Sequence, residues 1–515
     1  MAAGVFIPAS GLTVDTESEG RRTYAIAVCI FASLGGMFFG YDQGVTGGVL
    51  VMDNFLFDFC VGYKHNTYID CTSSSRKMPE NWTTFTTLYN VVYYIGCIVG
   101  AFIGGYVAQR YGRRVTIFNA GCLFAIGTLW VCLTPPKQHM LVLMGRFFAG
   151  AGVGNSSFSL PIFGAEAAPK ELRGILSGSM QAMNTTGMLL SNIVNNLVAS
   201  SAYGWRITNA VALIPSIIVM VGIFTVPESP RWTYQVKGRG EARAVLRRLR
   251  QTEQVEKELD AIGEQLKMES SEVTWSTLWL DSSLLRRTLI AMSLQGLQQA
   301  TGINPVLLYG GEIFRDVSGN GVLSLLILSI VFWLSTFPGM YWVDRVGRRR
   351  LLLVGAIGMA IGHLVSAITF TNGCNGNTTS SNCSIWAGYV MIIFTSIFIF
   401  NFAISWGPVC WIYPAEIFPT NVRAKAVTLS TMSNWLAGSG MIAVAKLFPY
   451  LNVNGVFYLF GFLCLICFVF VYLFCPETKG LLLEDIEPLF VHCEEDATSS
   501  RPTFKRTSTP NRVSV

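Results

Sequence analysis

The sequence is poor in charge: Asp, Glu, Lys and Arg together make only 13% of its 515 residues. A soluble domain carries roughly twice that share, so a water-covered surface is excluded for most of the chain. Histidine is scarcer still, and the four residues His65, His139, His363 and His492 stand at no metal-ligand spacing. The cysteines form no zinc pattern and no nucleotide-binding Gly-Lys-Ser/Thr loop occurs. With those signatures missing, the sequence offers no enzyme motif, no cofactor and no metal site, and any work the protein does must draw on a gradient. Nucleic-acid motifs are missing as well. The formal net charge of +6 fits basic loops facing anionic lipid instead.

What the chain has in abundance is apolar length. Hydrophobic residues make 51% of it and glycine contributes 50 residues. Segments such as Ala25–Phe39, Val115–Leu133, Ile207–Val226, Leu351–Phe370 and Val456–Phe474 are long enough, or nearly so, to cross a hydrocarbon core of roughly 30 Å as helices. About twelve such segments recur along the chain. The first is followed by further spans and lacks a convincing cleavage site, so it reads as a retained helix. The expected fold is an all-α polytopic membrane protein of twelve transmembrane helices.

Lys and Arg orient it. The short loops Arg110–Arg114, Lys170–Arg173, Arg345–Arg350 and Arg423–Lys425 are basic, as is Arg231–Arg287, while their opposite-side counterparts carry few cations. The positive-inside rule then places both termini and the long central segment in the cytoplasm. The loops assigned to the other side hold the sequons at Asn81, Asn377 and Asn382, where glycosylation enzymes could reach them. Two further sequons, at Asn155 and Asn184, fall inside spans. The same outer loops carry Cys60 with Cys71 and Cys374 with Cys383, close enough for local disulfides in an oxidising compartment. Most other cysteines sit in spans, as small apolar packing residues.

The spans divide six and six around one long polar stretch. The division expected is a tail at 1–22, a six-helix half at 23–228, a helical linker at 229–284, a second half at 285–476 and a tail at 477–515 rich in Ser, Thr and charge. Three patterns occur once per half: Arg110-Tyr-Gly-Arg-Arg and Arg345-Val-Gly-Arg-Arg, Glu166-x2-Pro169-x3-Arg173 and Glu416-x2-Pro419-x3-Arg423, Pro227-Glu228-Ser229 and Pro476-Glu477-Thr478. Each recurs roughly 235 to 250 residues later, which marks a duplication with a substrate site between the halves at mid-membrane.

These motifs, with Pro-Glu-Ser-Pro-Arg at 227–231, Gln298-Gln299-x-Thr-Gly-Ile-Asn304 and Pro-Glu-Thr-Lys-Gly at 476–480, resemble the sugar porter family of the major facilitator superfamily. The resemblance runs from about Tyr24 to Pro488. Phe39-Gly-Tyr-Asp42-x-Gly-x-Thr-Gly-Gly48 in the first span is most similar to proton-coupled monosaccharide symporters. The resemblance implies alternating access, with a hexose such as glucose and protons as the partners, in the plasma membrane. A passive facilitator and a non-transporting sugar sensor are the rivals; Asp42 speaks against the first and the short tail against the second.

Asp42 is the leading functional residue. An ionisable group within a span is costly and is read as functional by default, and a carboxylate there can take a proton on one side and release it on the other. Its expected partner is Arg146 in the fourth span, the alternative being a purely structural ion pair. A pyranose needs amides around its hydroxylated rim and an aromatic against its CH face. The resemblance assigns these to Gln181, Gln298, Gln299, Asn304 and Asn434, with Trp406 as the stacking ring. In the eighth span Phe332 occupies the place of a usual sugar-contacting Asn, so one hydrogen bond is expected to be missing. Phe163, Leu308 and Gln109 are further departures from the family pattern. Arg113, Glu166, Arg173, Glu228, Arg345, Arg348, Glu416, Arg423 and Glu477 are expected to form cytoplasmic salt-bridge networks that hold the inner side closed.

Overall fold

The computed structural model describes residues 23–72, 78–167, 173–269, 275–318, 320–374, 385–418, 420–479 and 490. The tail at 1–22, most of 477–515, the sequons at Asn377 and Asn382, and Cys383 lie outside them, as do the side chains of Arg173 and Arg423. Among the described residues there are twelve helical spans: α1 Thr23–Val49, α2 Glu80–Tyr111, α3 Arg113–Leu133, α4 His139–Ala167, α5 Arg173–Val198, α6 Gly204–Thr225, α7 Ser282–Ala300 continued by Ile303–Ser318, α8 Gly321–Val346, α9 Arg348–Gly373, α10 Ile385–Ile404 continued by Trp406–Ile417, α11 Thr420–Ile442 and α12 Phe448–Phe474. Eight described helices are long and apolar enough by themselves to cross a membrane. The spans outside that set, α4, α5, α7 and α11, hold Arg146, Asn184, Gln298 and Asn434, the polar groups that turn inward. Large apolar side chains such as Phe102, Leu197 and Val221 stay exposed on the bundle's outer face, where lipid is the natural solvent.

Within lipid there is no hydrophobic force between helices, so close approach depends on small residues. The α2–α4 contact is built that way. A Cβ on Gly100 would run into the Ala151 backbone, and one on Gly154 into the Cys97 carbonyl and Cα. The α1–α5 contact repeats the device, with Gly187 against the Met37 carbonyl and Gly40 against that of Asn184.

Between the halves four short helices, Pro230–Lys237, Arg239–Arg250, Glu256–Glu269 and Thr277–Leu280, form the linker. Ala242, Leu246, Val255 and Leu259 give it a small core of its own. Arg250 pairs with Glu258 inside the linker at 2.8 Å and ties the linker to the bundle by donating to the Ala167 carbonyl of α4 at 2.8 Å. The hydrogen bond from Arg239 holds the exposed Glu256 carboxyl below its ordinary range.

The halves meet at mid-depth and at the end away from the basic loops. Gln43 of α1 bonds Asn304 of α7 at 2.8 Å, Trp333 of α8 bonds Thr186 of α5 at 2.9 Å, and Asn90 of α2 reaches Tyr309 of α7 at 3.4 Å. At the far end a Cβ on Gly47 would strike the Leu307 carbonyl.

Gly154→Leu is expected to wedge α2 from α4, since the obstacle is backbone that cannot rotate away; overpacking of this kind costs about 1–3 kcal/mol or more. Thermal melting in detergent should fall by several degrees. Gly240→Ala in the linker, where a Cβ meets nothing within 4 Å, should leave the melt unchanged.

Candidate functional site

The break between Ala300 and Ile303 interrupts α7 at mid-depth, with Gly302 at φ +86°. Around it a chain of buried amides runs across the bundle. Asn434 of α11 donates to the side-chain oxygens of Gln295 and Gln298, each at 2.7 Å, and accepts from Gln299 at 2.9 Å. Asn304 donates to Gln299 and accepts from Gln43 at 2.8 Å. Gln298 donates to the Trp406 carbonyl at 2.8 Å and Gln295 to that of Cys410 at 3.0 Å, both on α10. All six amides are at most 7% exposed. Buried polar groups must be paired, and here they pair largely with one another. Gln298, Gln299, Asn304 and Asn434 thus come together. Gln181 sits half-buried on α5 in the other half and takes no part in the described chain.

Trp406 departs from expectation. Its indole N–H is spent on the Leu352 carbonyl of α9 at 2.9 Å, so the ring packs against α9 while only its backbone carbonyl joins the amide chain. Trp411 and Trp435 have the qualities sought in it. Each is nearly buried, and neither indole N–H has a hydrogen-bond partner among the described residues. Trp435 also lies edge-on to Phe39 and Tyr94 of the opposite half, at 5.9 and 5.7 Å. Gln43, Gln295, Trp411 and Trp435 were missed from sequence. A signal existed for Gln43 and Gln295, which are amides one residue from Asp42 and one helical turn from Gln298–Gln299.

Next to Gln43, Asp42 points the other way, into the first half. Arg146 Nη1 donates to Asp42 Oδ1 at 2.7 Å, and Arg146 Nη2 donates to Thr46 at 3.0 Å. The guanidinium lies over the Tyr89 and Tyr93 rings, at 4.6 and 4.4 Å. Both charged side chains are almost fully buried, and Asp42 Oδ2 has no hydrogen-bond partner among the described residues. Charge, aromatic faces and a free carboxylate oxygen are assembled in one place. Tyr89 extends this shell toward the outer segment, where Phe55 and Phe59 of the short helix Asp53–Phe59 pack on Trp82 and Trp205. Cys60 and Cys71 close that segment with a disulfide. Cys374 is also disulfide-bonded. Asn81, in the first turn of α2, exchanges amide hydrogen bonds with Asn66 at 3.0 and 3.2 Å.

At the basic end the duplication is visible as two equivalent stations. Arg113 pairs with Glu166 at 2.9 Å and Arg348 with Glu416 at 2.8 Å; the second oxygen of each Glu accepts from Ser229 or Thr478. Glu228 and Glu477 play a different part from the one expected. They accept the backbone N–H groups of Arg113 and Arg114, and of Arg348 and Arg349, at 2.8–3.2 Å. They therefore cap α3 and α9, whose first N–H groups have no helical partner and favour negative charge. The residue before each capped helix, Gly112 or Gly347, has φ +96° or +105°, and a Cβ there would strike the capping carboxylate. Arg345 stands apart. It is exposed over the Tyr341 ring at 4.2 Å and pairs with no carboxylate among the described residues. Every described ion pair of the two stations lies inside one half.

Residues 28–490 match the model of the family described as "Sugar (and other) transporter". The sequence is 31% identical to the sugar transport protein MST8 of Oryza sativa subsp. japonica, over 94% of this chain and 95% of that one. It is 32% identical to the probable glucose transporter rco-3 of Neurospora crassa, over 94% and 82%. The fold superposes with a TM-score of 0.73 and 26% identity on the E. coli proton:xylose symporter XylE bound to 6-bromo-6-deoxy-D-glucose, covering 91% of this chain and 99% of that one.

Removing one partner of a buried ion pair leaves an uncompensated charge at a cost of about 3–5 kcal/mol. Arg348→Gln is expected to take the guanidinium away from Glu416 and lower the melting temperature in detergent well below that of Arg345→Gln, which should match the unmodified protein. Equal melts for the two variants would refute the separate roles.

Proposed function

This chain belongs to the sugar (and other) transporter family, and from that premise we propose that it carries a monosaccharide, a hexose such as glucose, across the membrane together with a proton. The basic end faces the cytoplasm, a reading that the distribution of Lys and Arg supports, and the plasma membrane is the site of action. The sequons at Asn81, Asn377 and Asn382 are proposed as glycan acceptors, and Cys383 as the disulfide partner of Cys374.

One observation carries this reading: consecutive residues of α1 serve two sites. Asp42 enters the ion pair with Arg146, and Gln43 enters the amide chain at Asn304. The buried amides suit a sugar, because each hydroxyl both donates and accepts and can therefore take the place of an amide–amide bond without leaving a group unpaired. Trp411 and Trp435 offer apolar faces for the CH surface of the ring, and Gln181 contributes from α5. With Phe332 packed edge-on to Phe402 at 6.2 Å, α8 offers the sugar an apolar surface where an amide would have bonded a hydroxyl.

For the proton, Asp42 Oδ2 is the receiving atom. Protonation removes the negative charge from the pair, loosens its hold on Arg146 and frees α1 to move relative to α4. Because Gln43 follows Asp42 on the same turn of helix, that movement alters the inter-half bond to Asn304, and the proton and sugar sites change together. The halves touch at their outer ends at Gly47 and Leu307, an arrangement that supports release of both cargoes toward the basic, cytoplasmic end. Arg113–Glu166 and Arg348–Glu416 hold the inner helix ends of each half as rigid units during the rocking.

Uptake of labelled hexoses into cells lacking their own hexose carriers tests this, at acidic and neutral external pH and with a protonophore. Accumulation above the external concentration that the protonophore abolishes is expected; equilibration indifferent to both treatments would make the protein a passive carrier. Asp42→Asn should reduce the accumulation ratio to about one, since a neutral amide cannot exchange the proton, while sugar exchange continues. Undiminished proton-driven accumulation by that variant would remove Asp42 from the mechanism.

A further inference from the structure

The break in α7 is what allows Gln299 and Asn304 to touch. On an uninterrupted helix of 3.6 residues per turn, side chains five apart point roughly 140° away from each other, yet Asn304 donates to the Gln299 side chain. The change of direction is made at Gly302, whose φ of +86° is held beneath the Phe460 ring, against which a Cβ would collide. The first arm of α7 ends by satisfying itself: the Thr301 hydroxyl donates to the Gln298 carbonyl at 2.7 Å.

The Thr301 carbonyl is left over. Its helical partner would be the N–H of residue 305, which is Pro305 and has none. The missing donor comes from α9, where His363 Nε2 lies 2.9 Å from that oxygen. A carbonyl can only accept, so Nε2 bears the hydrogen. The imidazole is 0% exposed and is enclosed by Phe398 at 4.0 Å and by Phe457 and Phe460 at 5.6 Å. Rings from α10 and α12 therefore fix the imidazole, the imidazole fixes the carbonyl, and Phe460 bears on both His363 and Gly302.

We propose that His363 is a positioning residue for the sugar: through the Thr301 carbonyl it sets the angle between the two arms of α7 and so the placement of Gln298 and Gln299 against Asn304. This rests on the transport reading above. His363 touches none of those amides in the described contacts, and its influence passes through the backbone.

The test compares His363→Leu, which fills similar space without a donor, with His363→Gln, whose Nε2 can reach the same carbonyl, by initial rates of hexose uptake in the full-length protein. Losing one buried hydrogen bond that orders the site is expected to raise KM about tenfold in the Leu variant. The Vmax per molecule at the cell surface should change less, and the Gln variant should stay within about twofold of the unmodified KM. A Leu variant with unchanged KM, or a Gln variant as impaired as Leu, would overturn the assignment. Should the Leu variant fail to reach the membrane, the Gln variant's KM decides by the same criterion. If the unmodified protein takes up no sugar, the transport reading falls and this inference with it; normal uptake by the unmodified protein with an unchanged Leu variant defeats the inference alone.

Discussion

A charge in hydrocarbon needs a partner, and the pairing of Asp42 with Arg146 is the point from which the rest of the molecule can be understood. A charged side chain at the centre of a span costs about 3 kcal/mol to insert even when partly relieved by water. Two such groups on neighbouring helices offset each other's cost only if those helices are held at fixed distance. The Thr46 hydroxyl on the guanidinium and the tyrosine faces over it serve that requirement, while the glycine-lined α1–α5 and α2–α4 contacts pack each of the two helices closely against a further neighbour. The pairing also places Asp42 Oδ2, a carboxylate oxygen without a hydrogen bond among the described residues, one residue away from Gln43, which bonds across to the second half.

A second constraint acts at the basic end. Tight turns joining α2 to α3 and α8 to α9 expose unpaired N–H groups at the next helix start, and a carboxylate from a distant segment closes each of them. Because the same device is built twice, each half can behave as a rigid body and motion concentrates between them. The uncharged bonds that cross between the halves, at Gln43, Thr186 and Tyr309, are suited to that task, since they can be exchanged for water or sugar hydroxyls at little net cost.

Much of this was legible beforehand, for identifiable reasons. Apolar length, the basic loops and the paired motifs disclosed a duplicated helical bundle, because membrane insertion acts on local composition. Asp42 and Arg146 stood out since a charge in a span has few innocent explanations. Gln298, Gln299, Asn304 and Asn434 were named through family resemblance. The differences between expectation and observed geometry share one cause. Glu228 and Glu477 looked like partners for arginine side chains, Arg345 like a member of the network, and Trp406 like the ring facing the sugar, because residue type shows that a group must be satisfied without showing by what. Glu228, Glu477 and Trp406 found their partners on helices distant in sequence, and Arg345 lies over Tyr341 of its own helix.

The sequence by itself determined the class of the protein, the number of its spans, the repeat and the residues too costly to be there by accident. These follow from the free energy of placing each segment in water or lipid, which is nearly independent of its neighbours. Only the tertiary structure decided direction: that Asp42 faces one half and Gln43 the other, that Trp406 turns to α9, and that His363 meets the carbonyl Pro305 cannot serve. Direction depends on helix rotation, on breaks such as Gly302 and on contacts between segments fifty or more residues apart, and those are settled by packing.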